Sequence, residues 1–355
     1  MKNRGHVIIT GIMAMCMCVL TACRYNEGIT NYDERIYIAG NFNPDMSRRK
    51  PYYWTSQMGF NVFPVPDAAF GTTTGAAEIG GSVYITGHFG LSGTSIACYW
   101  KDGIRIDLPS DAAQNGTTGI AEINGSIYIT GYYNNSSGSI ACYWKDGIRI
   151  DLPVPYYTLR STTTGIADIN GSIYITGHYY QIMTGIFACY WKDGIRIDLP
   201  SFEGAIDAYA TGIADIDGSV YITGHYIFPT VFSTIEKPCY WKDGIIINLS
   251  VSGVSGTTTG IAGIGGSVYI TGSYGANACY WKDGIRNDLP PDGGAYGRAT
   301  GIAEIDGSIY ITGYYNDLNG LGNRISCFWK DGLLTWGLQA GTSSEASAII
   351  MRTHL

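Results

Sequence analysis

One sequence unit recurs seven times and fills nearly the whole chain. A middle copy reads Gly-Ile-Ala-Glu-Ile-Asn-Gly-Ser-Ile-Tyr-Ile-Thr-Gly, then a variable stretch, then Ala-Cys-Tyr-Trp-Lys-Asp-Gly-Ile-Arg-Ile-Asp-Leu-Pro. The tyrosine ahead of Ile-Thr-Gly (Ile-Ala-Gly in the first copy) stands at Tyr37, Tyr84, Tyr128, Tyr174, Tyr221, Tyr269 and Tyr310. The tryptophan that follows stands at Trp54, Trp100, Trp144, Trp191, Trp241, Trp281 and Trp329. Successive tyrosines are 47, 44, 46, 47, 48 and 41 residues apart. Copies this alike must share one local structure, and each must bury its apolar faces against its neighbours.

Each copy divides into four strands. In the third copy the first strand is built of small residues, Thr118 to Ile123, and Asn124-Gly125 follows as a two-residue hairpin signal. Ser126 to Gly131 is β-branched and aromatic, as a second strand should be. After a variable loop come a third strand at Ile140–Lys145, a tight Asp146-Gly147 turn and a fourth strand at Ile148–Leu152, closed by Pro153. The Ile-Arg-Ile-Asp alternation of that strand predicts one buried and one wet face. Gly and Ala in the first strand suit a crowded axis, and large residues on both faces of the second and third suit a sheet covered on each side. Four strands in each of seven units predict an all-β fold, a seven-bladed β-propeller with four antiparallel strands per blade. The first copy starts near residue 33 without its first strand, and 343–350 resembles the missing piece. The ring is therefore expected to close by the C-terminal strand completing blade one, which spans 33–66 plus about 343–350. The propeller would occupy 33–350, with 351–355 as a tail.

The first 22 residues read as a leader. Lys2 and Arg4 precede a short apolar run from Val7 to Leu20, and Leu20-Thr21-Ala22-Cys23 closes it. That ending resembles the lipobox of bacterial lipoproteins. The resemblance implies a signal peptide at 1–22, cleavage before Cys23, acyl chains on Cys23, and a tether over 23–32 that holds the protein on a membrane of the cell envelope. By further resemblance to enteric lipoproteins, Arg24 in place of Asp points to the outer membrane or cell surface and away from the inner membrane. The repeat itself resembles the kelch repeat, with Asn-Gly-Ser-Ile-Tyr-Ile-Thr-Gly where kelch has a strand ending in Gly-Gly. It departs by having Thr-Gly there and by carrying its Trp in the third strand. Kelch-like propellers host many activities, so the resemblance implies fold and no particular chemistry.

Composition narrows the partners. The chain has 22 basic and 29 acidic residues; without Lys2 and Arg4 the balance is 20 to 29. A mildly acidic chain with no basic stripe argues against nucleic acid. Cys98, Cys142, Cys189, Cys239, Cys279 and Cys327 occupy one equivalent site in successive copies, too far apart to bridge, and read as small buried residues in a monomer. No zinc-type spacing, nucleophile elbow, HExxH or phosphate loop is present, so no cofactor and no metal is expected.

Function must then come from what varies. Tight turns fall on one side of the ring, and loops of unlike length fall on the other. The variable side is Tyr-rich among Ser, Asn and Gly, which suits protein or glycan binding. Candidate ligand-binding residues are Tyr133, Tyr157, Tyr180, Tyr209 and Tyr315, with His88, His178 and His225 after the Thr-Gly of their copies. The alternative for the tyrosine pairs is that the first member ends the second strand and packs between blades. Glu78, Glu122, Asp168, Asp215 and Glu304 would ring the opposite side, paired with the lysines of Lys-Asp-Gly. The expected function is a non-enzymatic binding or scaffolding module of the envelope, with an envelope protein or a glycan as partner. A polysaccharide hydrolase or lyase would need convergent loop acids, for which Glu203, Asp207, Asp292 and Asp317 are the candidates. A structural subunit of an envelope assembly complex would need an apolar patch on one rim.

Overall fold

Asparagine, aspartate or glycine followed by glycine sets the geometry of the tight turns from the second copy to the last. In the computed structural model Asn124 and Gly125 have φ of 53° and 78°, and Asp146 and Gly147 have 48° and 83°. Two consecutive positive φ values give the hairpin turn whose twist matches paired strands. The structure describes residues 36–44, 48–55, 58–66, 69–91, 93–110, 112–250, 253–290, 296–317, 323–338 and 343–351. The leader, Cys23 and its tether, residues 352–355 of the C-terminal tail and Asp292 lie outside the described residues, while Met351 belongs to the closing strand.

Every described element is a β-strand, and the strands form six hydrogen-bonded sheets, antiparallel within each meander. Five sheets have four strands. The sixth has eight, and holds the third and fourth copies together through one parallel pair, Ser139 with Arg160. A weaker form of that contact, an isolated parallel bridge between Ser95 and Gln114, joins the second copy to the third. Ser343–Met351 pairs antiparallel with Ile36–Asn43, so the end of the chain supplies the first strand of the first copy.

First strands follow one another around a common axis. A Cβ on Gly75 would stand 3.4 Å from the Cα of Gly119, and the same approach repeats from Gly165 to Gly212 at 3.5 Å and from Gly301 to Ala348 at 3.6 Å. Only glycine or alanine fits so close to the next backbone. Threonines beside these glycines join neighbours: Thr74 to Thr117 at 2.8 Å, Thr118 to Thr163 at 2.6 Å, Thr211 to Thr258 at 2.9 Å. Ser347 and Thr73, at 2.7 Å, join the last strand of the chain to the second copy.

Among the described residues, seven apolar clusters lie between successive meanders, one of them uniting Ile305, Tyr310 and Phe328 with Ile36, Ile38, Tyr52 and Ile349. The third-strand tryptophans are their largest members and are fully buried from Trp100 to Trp329. Removing roughly 200 Å² of aromatic surface from water contributes on the order of 5 kcal/mol each before ordering entropy is subtracted. In four copies the indole N–H reaches back to the copy before it: Trp144 donates to the Pro109 carbonyl at 3.1 Å, Trp191 to Pro153 at 2.8 Å, Trp241 to Pro200 at 2.8 Å and Trp329 to Pro290 at 2.9 Å. Beside each Trp lies a buried cysteine, and all six described cysteines are free.

Two sequence expectations are corrected here. The fourth strand does not bury its isoleucines: Ile104 and Ile106 are exposed, and the Arg105 between them is the half-buried residue. Arg105 lies 4.0 Å over Phe89, Arg149 4.0 Å over Tyr133 and Arg286 4.4 Å over Tyr274, each paired with the Asp two residues on. A guanidinium stacked on an aromatic ring takes the inward position that periodicity assigns to an aliphatic. The turn-side carboxylates also differ. Glu78, Glu122 and Asp168 accept the backbone N–H of Gly81, Gly125 and Gly171 in their own turns. The lysines meet tyrosine rings instead, Lys101 over Tyr84 and Lys145 over Tyr128, at 5.3 and 5.4 Å.

Candidate functional site

A four-strand meander that turns tightly after its first and third strands puts both turns on one face. The long connections, from second to third strand and from copy to copy, must share the other. Strand pairing then fixes a single level just inside that loop face, at the residue after each Thr-Gly. There the cross-strand pairs are Thr72–His88, Gly116–Tyr132, Thr162–His178, Tyr209–His225, Thr257–Ser273, Arg298–Tyr314 and Glu345–Asn41. One position below, the copies are nearly identical. At this level only Thr–His recurs, in the second and fourth copies, and the other five pairs all differ.

His178, Tyr209 and His225 make the densest group. Tyr209 stacks on His225 at 4.9 Å between ring centroids and meets His178 edge-on at 4.8 Å. The Nδ1 atoms of both histidines are buried without a hydrogen-bond partner. Burial lowers both imidazoles to a pKa of about 4, with Arg298 and then His178 adding to the effect on His225. His88 stands apart from them, within 3.1 Å of the Thr72 hydroxyl, and is lowered by burial and then by Arg49. The three histidines thus do not gather, and the described residues contain no group of three metal-ligating side chains.

The buried imidazoles give a pH prediction. Folded His178 and His225 titrate near 4 and unfolded histidine near 6.5. Both are neutral in both states above that window. As pH falls from 6.5 to 4 the unfolded chain takes up protons first, so stability falls, by about 2–3 kcal/mol per imidazole. Denaturant unfolding at pH 7.5 and 4.5 should show the loss, and His178→Gln with His225→Gln should remove most of it. An unchanged difference in the double variant would discard the assignment.

Two tyrosine pairs resolve opposite to that alternative: their second members, Tyr133 and Tyr315, are the buried ones, whereas in Tyr179-Tyr180 the first member, Tyr179, is buried. Tyr226 and Tyr274 are buried at the equivalent position, two residues after the Thr-Gly. Tyr133 donates to Asp151 at 2.8 Å under the Arg149 guanidinium. Tyr133 and Tyr315 are therefore core residues and leave the ligand-facing set. Tyr180 and Tyr209 are half-buried at the loop face, and Tyr157 is 74% exposed.

Two arcs of the loop face stand out. Along the third-to-fifth copies, Tyr156 and Tyr157 form an edge-on pair at 4.5 Å, and Met183 and Phe232 are 95% and 97% exposed. Sequence patterning missed Met183 and Phe232 because a lone apolar residue in a loop carries no period. Across the ring, where the last copy meets the first, lies a cleft of about 220 Å³ lined by Asn41, Asn43, Arg49, Arg324, Ser343 and Glu345 among others. Glu345 holds Arg49 at 3.2 Å and Arg324 at 2.7 Å, and Arg324 stacks 4.5 Å over Tyr314. Two guanidinium groups against one carboxylate leave the cleft positive. Its described lining holds no second carboxylate. Of the loop acids, Glu203 is exposed and Asp207 accepts the Ile186 N–H at 2.7 Å.

No family model matches the sequence, and no curated protein does. Among solved structures the chain is similar to a puromycin hydrolase (S511A mutant, complexed with PGG), with 9% identity, 87% of this chain and 53% of that chain covered, and a TM-score of 0.55. It spans about half the length of that hydrolase. It is also similar to a protein of unknown function from Dyadobacter fermentans (11% identity, 80% and 95% coverage, TM-score 0.46). A third similarity is to the six-bladed propeller lectin of Aleuria aurantia (14% identity, 76% and 96% coverage, TM-score 0.41). At 9% identity the likeness to the hydrolase concerns the fold alone.

Proposed function

We propose that this chain is a lipid-anchored, non-enzymatic binding module of the bacterial envelope, a kelch-like seven-bladed propeller that takes a glycan on its loop face. The seven-blade reading splits the eight-stranded sheet at its single parallel bridge, which leaves one meander for each sequence copy. The anchor reading rests on Leu20-Thr21-Ala22-Cys23 after an apolar run.

One observation carries the binding reading. Near-identical copies diverge at one level and one face, and the divergent residues there are aromatic rings, imidazoles, hydroxyls, amides and arginine. Repetition elsewhere is what a scaffold requires; unlike residues meeting once are what a ligand site requires. Exposed Tyr and Phe offer stacking surface for sugar rings, and the cleft at the last-to-first junction offers guanidinium and amide donors beside Glu345 as an acceptor.

A glycan array run with an envelope pull-down tests this. Wild type is compared with Tyr157→Ala/Phe232→Ala and with Arg49→Ala/Arg324→Ala, all at side chains with substantial exposure. Loss of signal in either double variant, with unchanged melting, supports the loop face. Retention of every partner in both rejects it. Palmitate labelling of wild type against Cys23→Ser tests the anchor independently.

A further inference from the structure

The face opposite the proposed ligand site carries a pattern that binding does not use. Ile104, Ile148, Ile195, Ile245, Ile285 and Leu333 each begin a fourth strand directly after a tight turn, and each is 70–72% exposed. Single exposed aliphatics are ordinary on a protein surface. These six are equivalent positions in successive copies, so they stand at one height around the outer rim of the hairpin face. The chain also enters and leaves the ring on this face. Ile36, which opens the first copy's second strand, pairs with Met351 at the far end of the closing strand, where other copies have their tight turn.

From this we infer that the hairpin face rests on the lipid bilayer, with the six rim aliphatics dipping into its interface and the loop face turned away. The inference rests on the anchor proposed at Cys23. Twelve residues separate Cys23 from Ile36. Even fully extended they reach roughly 40 Å, so an acyl chain on Cys23 keeps this face, where the tether joins the ring, close to the membrane. A weak apolar contact then acts at high local concentration. The lysines beside the rim, such as Lys145 over Tyr128, can lie with their stems along the surface and their ammonium groups among headgroups. The same turns carry aspartates and glutamates, so the face has no excess of positive charge. Docking is therefore apolar, and neutral lipid is sufficient.

The test uses the lipidated full-length protein in phosphatidylcholine vesicles, with a nitroxide at Ile195→Cys on the rim or at Val231→Cys on the loop face. The six ring cysteines are buried, which directs the label to the introduced thiol. Accessibility to oxygen relative to a water-soluble nickel chelate is expected to be several-fold higher at 195 than at 231, and unchanged at high salt. Equal ratios overturn the docking. Shielding of 195 from both reagents means that protein covers the rim, and overturns it too. If palmitate never enters Cys23, the anchor fails by itself and the rim is tested without it. Wild type should then cosediment with vesicles at least threefold more than the Ile148→Ser/Ile195→Ser/Ile245→Ser variant, and equal sedimentation rejects the rim.

Discussion

A chain truncated after Gly341 is expected to lose most of its stability, although it keeps all seven tryptophans of the repeat. The missing segment, Ser343–Met351, runs antiparallel to Ile36–Asn43 along that strand's whole length. Its Ala346 and Ile349 are buried against Ile36, Ile38, Tyr52 and Phe328. Its Ser347 bonds Thr73, and its Glu345 holds Arg49 and Arg324 across the junction. Without it, the first copy has no inner strand, and Phe328 of the last copy loses Ala346 and Ile349 from the cluster that covers it. Folded proteins are stable by only about 5–15 kcal/mol, and an opened apolar interface removes a large part of that. Thermal melting of the purified truncation should fall by well over about 10 °C, or the protein should be recovered unfolded. A truncation that melts with the full chain would mean that the closing strand contributes no stability.

Closure was legible in the sequence because the repeat has a phase: a first copy lacking its first strand, and a remnant after the last, leave one arrangement. Tight turns were legible for a similar reason, since Asn-Gly and Asp-Gly have few alternatives between strands. What could not be read was which way a side chain faces when both faces of a strand are covered. Tyr132-Tyr133 and Tyr314-Tyr315 show this. Each pair spans the two faces, both faces are apolar, and only the neighbouring meander decides that Tyr133 and Tyr315 are the buried ones. The fourth strand fails for the opposite reason. Ile-Arg-Ile-Asp has the alternation of a half-buried strand, but arginine sits inward on Tyr133 or Phe89 and the isoleucines face solvent. The His178–Tyr209–His225 group was invisible as a group because its members come from two copies, brought together by the ring and by no local pattern.

The glycine of Thr-Gly is where the repeat should tolerate least. In the third copy a Cβ on Gly131 would fall on the carbonyl oxygen of Gly116 in the first strand and 2.8 Å from the Trp144 ring in the third. Both neighbours are fixed. Gly116 belongs to the strand that approaches the axis, and Trp144 is buried with its N–H on Pro109 of the preceding copy. An added methyl group must therefore part the first and second strands or push the indole out of the interface. Overpacking in so rigid a place costs about 3 kcal/mol or more. Gly125 is the comparison: it has φ of 78° in a two-residue turn, and a Cβ there meets nothing within 4 Å. Asparagine accepts that conformation, so Gly125→Asn should cost within about 1 kcal/mol. Urea unfolding of Gly131→Ala and Gly125→Asn side by side separates the two. If they lie within 1 kcal/mol of each other, the strand spacing is not set by the indole slot, and a different reason is needed for glycine at this position in every copy.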